Sequence, residues 1–220
     1  METIHHINIA IHVLAGSIAL MAGLAALIAR KGAFWHIRFG RYFTKAVVIV
    51  IVTALFGVLV FKRNNFLLVI TLLSAYNCYS GLRALKLRGQ KPKYYDYLAP
   101  MLVMGAACYY LNYINSIGMY WDATVTFSTI GALFVMTVYD LSKVFLSINF
   151  LKRAVMYEHV YKMVSAFIAL ASAFSGTVFP QYKPYSQVLP SVFGFAYIFV
   201  IFIRLANQST ASKTLSYQQQ

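Results

Sequence analysis

Apolar runs long enough to cross a lipid bilayer recur along the whole chain, separated by short polar gaps. A transmembrane helix needs about 20 consecutive apolar residues to cross ~30 Å of hydrocarbon. Only 11% of the residues are charged, and this leaves too few charges to cover a water-facing surface. The runs are continuous rather than alternating, which disfavours a membrane β-barrel. The sequence therefore predicts an all-α integral membrane protein.

The runs predict a seven-transmembrane-helix bundle that forms a single domain of residues 1–206. The predicted spans are residues 7–29, 46–61, 65–85, 97–117, 123–146, 159–179 and 186–206. Between the first two, Trp35, Phe39 and Phe43 recur at four-residue spacing. This spacing predicts an amphipathic connection over residues 30–45 that lies in the membrane interface. The polar residues 207–220 predict a disordered cytoplasmic tail.

Basic residues crowd into every second gap between the spans. Of the 19 lysines and arginines, only Lys62, Arg63 and Lys183 fall in the other gaps. Because cytoplasmic loops carry the basic excess of a membrane protein, the N-terminus is predicted outside and the C-terminus in the cytoplasm. The net charge of +14 is then explained by topology and by anionic lipid. We therefore predict the lipid bilayer as a partner and no nucleic acid.

Polar residues on the faces of three spans predict a ligand site within the bundle. His12 shares one face of span one with Asn8 and Gly16, at helical spacing. An ionisable residue inside a membrane span is a candidate for function. We expect His12, Asn77 and Asn112 to line a cavity that binds a small molecule or cofactor. The alternative is that they hydrogen-bond neighbouring helices.

A second group of ionisable residues falls at the predicted cytoplasmic face. His36 lies in the first connection, Asp140 near the end of span five, and Glu158 and His159 at the start of span six. Imidazole suits a divalent metal or haem iron. The alternative function is therefore a metal or haem redox protein with His36 and His159 as ligands. Asp140 and Glu158 would then orient the two imidazoles.

This second group also has an ordinary interpretation. Asp140 pairs with Lys143 or Lys162, and Glu158 is stabilised by the N-terminal end of the span-six helix. A second alternative function is a non-catalytic accessory subunit of a larger membrane complex, and the partner predicted with it is another membrane protein or, in a homo-oligomer, a second copy of the chain. The sequence carries no Gly-rich phosphate loop, no nucleophile elbow and no His-Glu-x-x-His motif. It therefore assigns no reaction and leaves enzymatic activity open.

Two stretches of the chain together resemble a known family. They are His12, Gly16, Gly23, residues 30–32, His36 and residues 40–42, and then His159, Met163 and residues 166–173. The family comprises uncharacterised bacterial multi-pass membrane proteins, described as a predicted membrane domain of unknown function. It tends to have His-Arg where this chain has His36-Ile37-Arg38. The resemblance implies the bacterial inner membrane, points to the three histidines and carries no activity.

Overall fold

The computed structural model describes residues 2–61, 65–117 and 123–218. Over these ranges the chain forms seven α-helices and two short 3-10 turns, without a β-strand. The helices are α1 (Glu2–Ile28), α2 (Phe34–Phe61), α3 (Asn65–Leu87), α4 (Leu98–Ile117), α5 (Ala123–Ser142), α6 (Ile148–Val178) and α7 (Tyr185–Gln218). The prediction of an all-α protein is confirmed. Lys62 and Arg63, which the charge argument places outside, lie beyond the described residues.

Within the part of the chain that the structure describes, five helices are long and apolar enough to span a membrane. They are α1, α2, α5, α6 and the Tyr185–Gln208 part of α7. Helices α3 and α4 are not among these five, and they carry polar residues such as Asn77 and Ser80 on α3 and Asn112 on α4. The chain is therefore a multi-pass membrane protein, whereas the count of seven spans and the orientation stay predictions.

The surface of the helices is itself suited to lipid. Large apolar side chains point outward along the spans, among them Leu59 at 75% exposure and Phe199 at 66%. A water-soluble monomer rarely exposes apolar side chains in such continuous bands. Contact with the hydrocarbon of a bilayer removes this surface from water, as expected for membrane-spanning helices.

Two helices begin well before their predicted spans. Helix α2 starts at Phe34, so the predicted interfacial connection continues into the second span without a break. Its 28 residues reach about 42 Å, which exceeds the ~30 Å of hydrocarbon. Helix α6 starts after Ser147, whose hydroxyl caps the helix by accepting from the N–H of Phe150 at 3.2 Å. Glu158 and His159 therefore lie inside α6 and not at its start.

Helix α7 differs from its predicted span at the other end. The sequence predicts disorder from residue 207, whereas the helical backbone continues to Gln218. The chain has no glycine or proline after Gly194, so nothing in the backbone chemistry stops the helix.

Close contacts between α3 and α6 position the candidate sites. At Gly81 of α3, an added Cβ would lie 3.0 Å from Lys162 Cβ and 3.2 Å from Met163 Sδ on α6. Only glycine allows the two helices to approach this closely. After α3, Gly89 has a φ of +77°, and its missing Cβ leaves room for the backbone of Lys152. Helix α1 packs along α2, and α6 also packs along α7.

Candidate functional site

Four charged side chains form a buried cluster, which we call the lysine–carboxylate cluster. Asp140 of α5, Lys143 just after it, and Glu158 and Lys162 of α6 are between 1% and 8% exposed. Lys162 Nζ donates to both Asp140 oxygens, at 2.6 and 2.8 Å. Lys143 Nζ lies 2.5 Å from Glu158 Oε2 and 2.7 Å from Asp140 Oδ1. Each lysine therefore has a carboxylate partner at hydrogen-bond distance.

Two tyrosines complete the hydrogen bonding of the cluster. Tyr76 of α3 donates to Asp140 Oδ2 at 2.5 Å, and Tyr139 donates to Glu158 Oε1 at 2.6 Å. All four carboxylate oxygens then have a donor, and two ammonium groups balance two carboxylates. The adjoining cavity measures about 30 Å³, which is room for a few waters. This geometry joins α3, α5 and α6 and leaves no space for a larger ligand.

This arrangement matches the ordinary interpretation of Asp140, with both Lys143 and Lys162 as partners. The role given to Asp140 and Glu158 in orienting histidines is not seen, because their oxygens bind lysines and tyrosines. Sequence spacing predicts part of the lysine–carboxylate cluster, because residues three or four apart share a helix face. Tyr76 lies 64 residues from Asp140, and no local pattern identifies it.

A bidentate ion pair lies beside the cluster. Arg83 Nε and Nη2 donate to Asp96 Oδ1 and Oδ2 at 2.6 and 3.0 Å. The backbone N–H of Lys93 also donates to Asp96 Oδ2, at 2.9 Å. Burial on its own would raise the pKa of Asp96, but these hydrogen bonds and the charge of Arg83 outweigh it and lower that pKa. The pair therefore holds the loop before α4 against α3.

His36 of α2 and His159 of α6 each bind a backbone carbonyl through Nδ1. His36 Nδ1 donates to the carbonyl of Ala26 at 2.9 Å, and His159 Nδ1 donates to that of Gly81 at 3.1 Å. Because a carbonyl only accepts, each neutral ring keeps its lone pair on Nε2, the atom that would bind a metal. Within the described ranges, no group of three or more His, Cys, Asp or Glu side chains is placed to hold a metal ion.

A cavity of about 640 Å³ lies between α1, α2, α3 and α6, and we call it the His12 cavity. This volume falls within the ~300–1,000 Å³ of ordinary small-molecule sites. Its wall is mostly apolar, with residues such as Leu20, Val50 and Leu170. The polar residues in the wall include His5, Asn8, His12, Thr53 and Ser74. An apolar wall with a few polar groups is typical of a ligand site.

Thr53 determines which nitrogen of His12 carries a proton. The hydroxyl of Thr53 donates to the carbonyls of Ile49 and Val50, at 2.8 and 3.0 Å. Its single proton is used there, so its oxygen accepts from His12 Nδ1 at 2.8 Å. Asn8 Nδ2 donates to the Thr53 carbonyl at 3.1 Å. In the neutral ring, the Nε2 lone pair of His12 is then the acceptor that a ligand could use. No pattern in the sequence identifies Thr53.

The structure does not bring His12, Asn77 and Asn112 to one site. Asn77 lines a different cavity, of about 270 Å³, between α3, α5, α6 and α7; we call it the Asn77 cavity. Asn112 is exposed on α4 and lines neither cavity. The reason is geometric, because α3 presents Ser74 to the His12 cavity and Asn77 to the second one. The two polar faces therefore belong to separate sites.

Comparison with known protein families, with curated proteins and with solved structures finds no match to this chain. The resemblance based on His12, His36 and His159 therefore stays a prediction. Function has to be argued from the geometry of the sites themselves. The two cavities have room for a ligand, whereas the lysine–carboxylate cluster is already closed by its own side chains.

Proposed function

We propose that this chain is a bacterial inner-membrane protein that binds a small, mostly apolar molecule in the His12 cavity. The observation that carries the proposal is a cavity of about 640 Å³ whose apolar wall surrounds one oriented imidazole. The ligand presents a hydroxyl or N–H group to His12 Nε2 and buries its apolar body against residues such as Leu20 and Leu170. A carrier or a receptor for such a molecule fits this description.

Copurification tests the proposal. The protein is purified from its native membranes in mild detergent, and small molecules extracted from it are identified by mass spectrometry. We expect a near-stoichiometric compound with the native chain and its loss in His12→Phe, which keeps an aromatic ring but removes the acceptor. The matched control is His6→Phe, because His6 is an exposed histidine of the same helix and does not line the cavity.

Two outcomes would contradict this function. One is a compound that remains at equal occupancy in His12→Phe and in His6→Phe. The other is a native protein, folded and pure, that carries no small molecule and gains none when native lipid extract is added. Either result would leave the His12 cavity as a packing feature of the α1–α2 pair.

A second candidate, a metal or haem redox protein, is favoured by the orientation of two imidazoles. His36 and His159 both use Nδ1 to bind backbone carbonyls, so both keep Nε2 for an iron or another metal. Visible absorption and metal analysis of protein from native membranes test it. A Soret band or bound metal that disappears in His159→Phe and persists in His6→Phe would support this candidate. A colourless, metal-free and folded preparation would count against it.

The proposal includes the predicted topology of seven spans with the N-terminus outside. The asymmetry of the lysines and arginines supports it. Reporter proteins fused to the two chain ends should then report opposite sides of the membrane. If both ends reported the same side, an even number of spans would replace the predicted seven.

A further inference from the structure

The wall of the Asn77 cavity contains polar atoms without a hydrogen-bond partner. Asn77 is only 1% exposed, yet its Oδ1 has no partner among the described residues. The same is true of Ser172 Oγ, which also belongs to the wall. An unsatisfied buried polar atom is destabilising, so native proteins usually satisfy it with protein, water or ligand. Two such atoms at one cavity indicate an occupant.

Two hydroxyls on the α5 side of the wall can act only as acceptors. Ser128 Oγ and Thr129 Oγ1 both donate to the carbonyl of Val125, at 3.1 and 2.7 Å. Each hydroxyl proton is therefore used within α5, and each oxygen keeps its lone pairs. Together with Asn77 Oδ1 these oxygens can accept hydrogen bonds, whereas the unpartnered Ser172 Oγ keeps a proton to donate. The occupant that they fit is a molecule that both donates and accepts hydrogen bonds, as a hydroxyl group does.

Charge and volume narrow the occupant further. Among the described residues that line this cavity, none is charged, so a bound ion would be buried without a counter-charge. The remaining wall is apolar, with Leu73, Met136 and Phe195 among its residues. Its volume of about 270 Å³ exceeds the ~150 Å³ of a cavity that holds benzene. A small uncharged molecule with an apolar body fits this space.

We propose that the Asn77 cavity is a binding site for a small alcohol or phenol. The hydroxyl of the ligand donates to Asn77 Oδ1, and its apolar body packs against Leu73 and Met136. This site is separate from the function proposed for His12, because α5 and α7 bound it instead of α1 and α2. Each site can therefore fail without the other.

Fluorine NMR on the purified full-length protein in detergent tests the site, with 4-fluorophenol as the probe. Fluorobenzene serves as the apolar control, because it enters micelles equally but has no hydroxyl to donate. We expect saturable binding of 4-fluorophenol to the native chain and no saturable binding of fluorobenzene. Asn77→Leu should weaken the phenol by about tenfold, the effect of losing one buried hydrogen bond.

Three further variants keep the test decisive. Ala132→Leu enlarges an apolar side chain of the wall and should also abolish saturable binding, even if Asn77→Leu does not fold. Asn112→Leu is the matched control, because this asparagine is exposed on α4, and its phenol affinity should equal that of the native chain. His12→Phe should likewise leave phenol binding unchanged.

The proposal is overturned if 4-fluorophenol binds no more tightly than fluorobenzene. It is also overturned if Ala132→Leu, or a folded Asn77→Leu, binds the phenol as the native chain does. In those cases ordered water is the occupant of the cavity, because water also donates hydrogen bonds to unsatisfied acceptors.

Discussion

Replacing Asp140 with asparagine removes one of the two negative charges of the lysine–carboxylate cluster. In the native protein, Lys162 and Lys143 both contact this carboxylate, and Tyr76 donates to it. Asparagine retains a single acceptor oxygen and presents an amide donor to three donors. Two buried lysines would then share Glu158 as their remaining carboxylate. The substitution therefore leaves one positive charge uncompensated among α3, α5 and α6.

The loss of stability expected for Asp140→Asn follows from the burial of the lysine–carboxylate cluster. Breaking a buried ion pair by removing one partner costs about 3–5 kcal/mol, because the remaining charge stays desolvated. For a chain of this size each kcal/mol lowers the unfolding midpoint by about 2–4 °C, so Asp140→Asn should lower it by about 6–20 °C. Adding Lys162→Met restores neutrality, with Lys143 and Glu158 still paired. We expect the double variant to be more stable than Asp140→Asn alone by about 2 kcal/mol.

Thermal unfolding in detergent, followed by helical circular dichroism, measures these differences. Lys152→Met is the matched control, because Lys152 is an exposed lysine of α6, the helix that carries Lys162. Its unfolding midpoint should stay within about 2 °C of the native value. An unfolding midpoint of Asp140→Asn within the range of this control would show that the Asp140 charge does not stabilise the cluster. A further loss of stability when Lys162→Met is added to Asp140→Asn would show that the two charges do not compensate each other.

Substitutions at three other places in the fold have definite expected outcomes. Asp96→Asn should lower the free energy of unfolding by about 1–2 kcal/mol at neutral pH. Folding lowers the pKa of Asp96, so this difference should be fully present at a pH above the unfolded-state pKa of ~3.9. It should vanish when unfolding is measured at progressively lower pH, because the carboxylate is then protonated. Gly89→Ala should lose more stability than Gly32→Ala in thermal unfolding, because both have a positive φ but only the Cβ at position 89 meets backbone atoms. Ser147→Ala should cost about 1 kcal/mol through loss of the α6 cap, and Ser147→Asp should recover it.

Helix existence could be read from the sequence, because lipid leaves a continuous apolar segment no other way to satisfy its backbone groups. The first and last residues of the helices could not be predicted equally well. Apolarity indicates which residues face hydrocarbon, but it does not indicate where a helix begins. Helix α2 begins at Phe34 and helix α6 at Ile148, both before the apolar run that predicts the span. The basic and aromatic residues that precede the apolar runs are also acceptable in a helix. The predicted spans therefore describe the lipid-facing part of longer helices.

The candidate residues were identified from residue type and depth, but their grouping depended on the tertiary structure. Spacing along one helix places His12 beside Asn8, and Lys162 beside Glu158, because residues four apart share a face. Whether His12 meets Asn77 depends on how α3 is rotated about its own axis between α1, α5 and α6. The periodicity of the sequence shows which residues of α3 share a face, but it does not show which neighbouring helix that face meets. The close approach at Gly81 brings α3 against α6, and with it Tyr76 reaches Asp140 while Asn77 lines a separate cavity. The local pattern determined that these side chains avoid lipid, and the packing of α3 decided which of them meet.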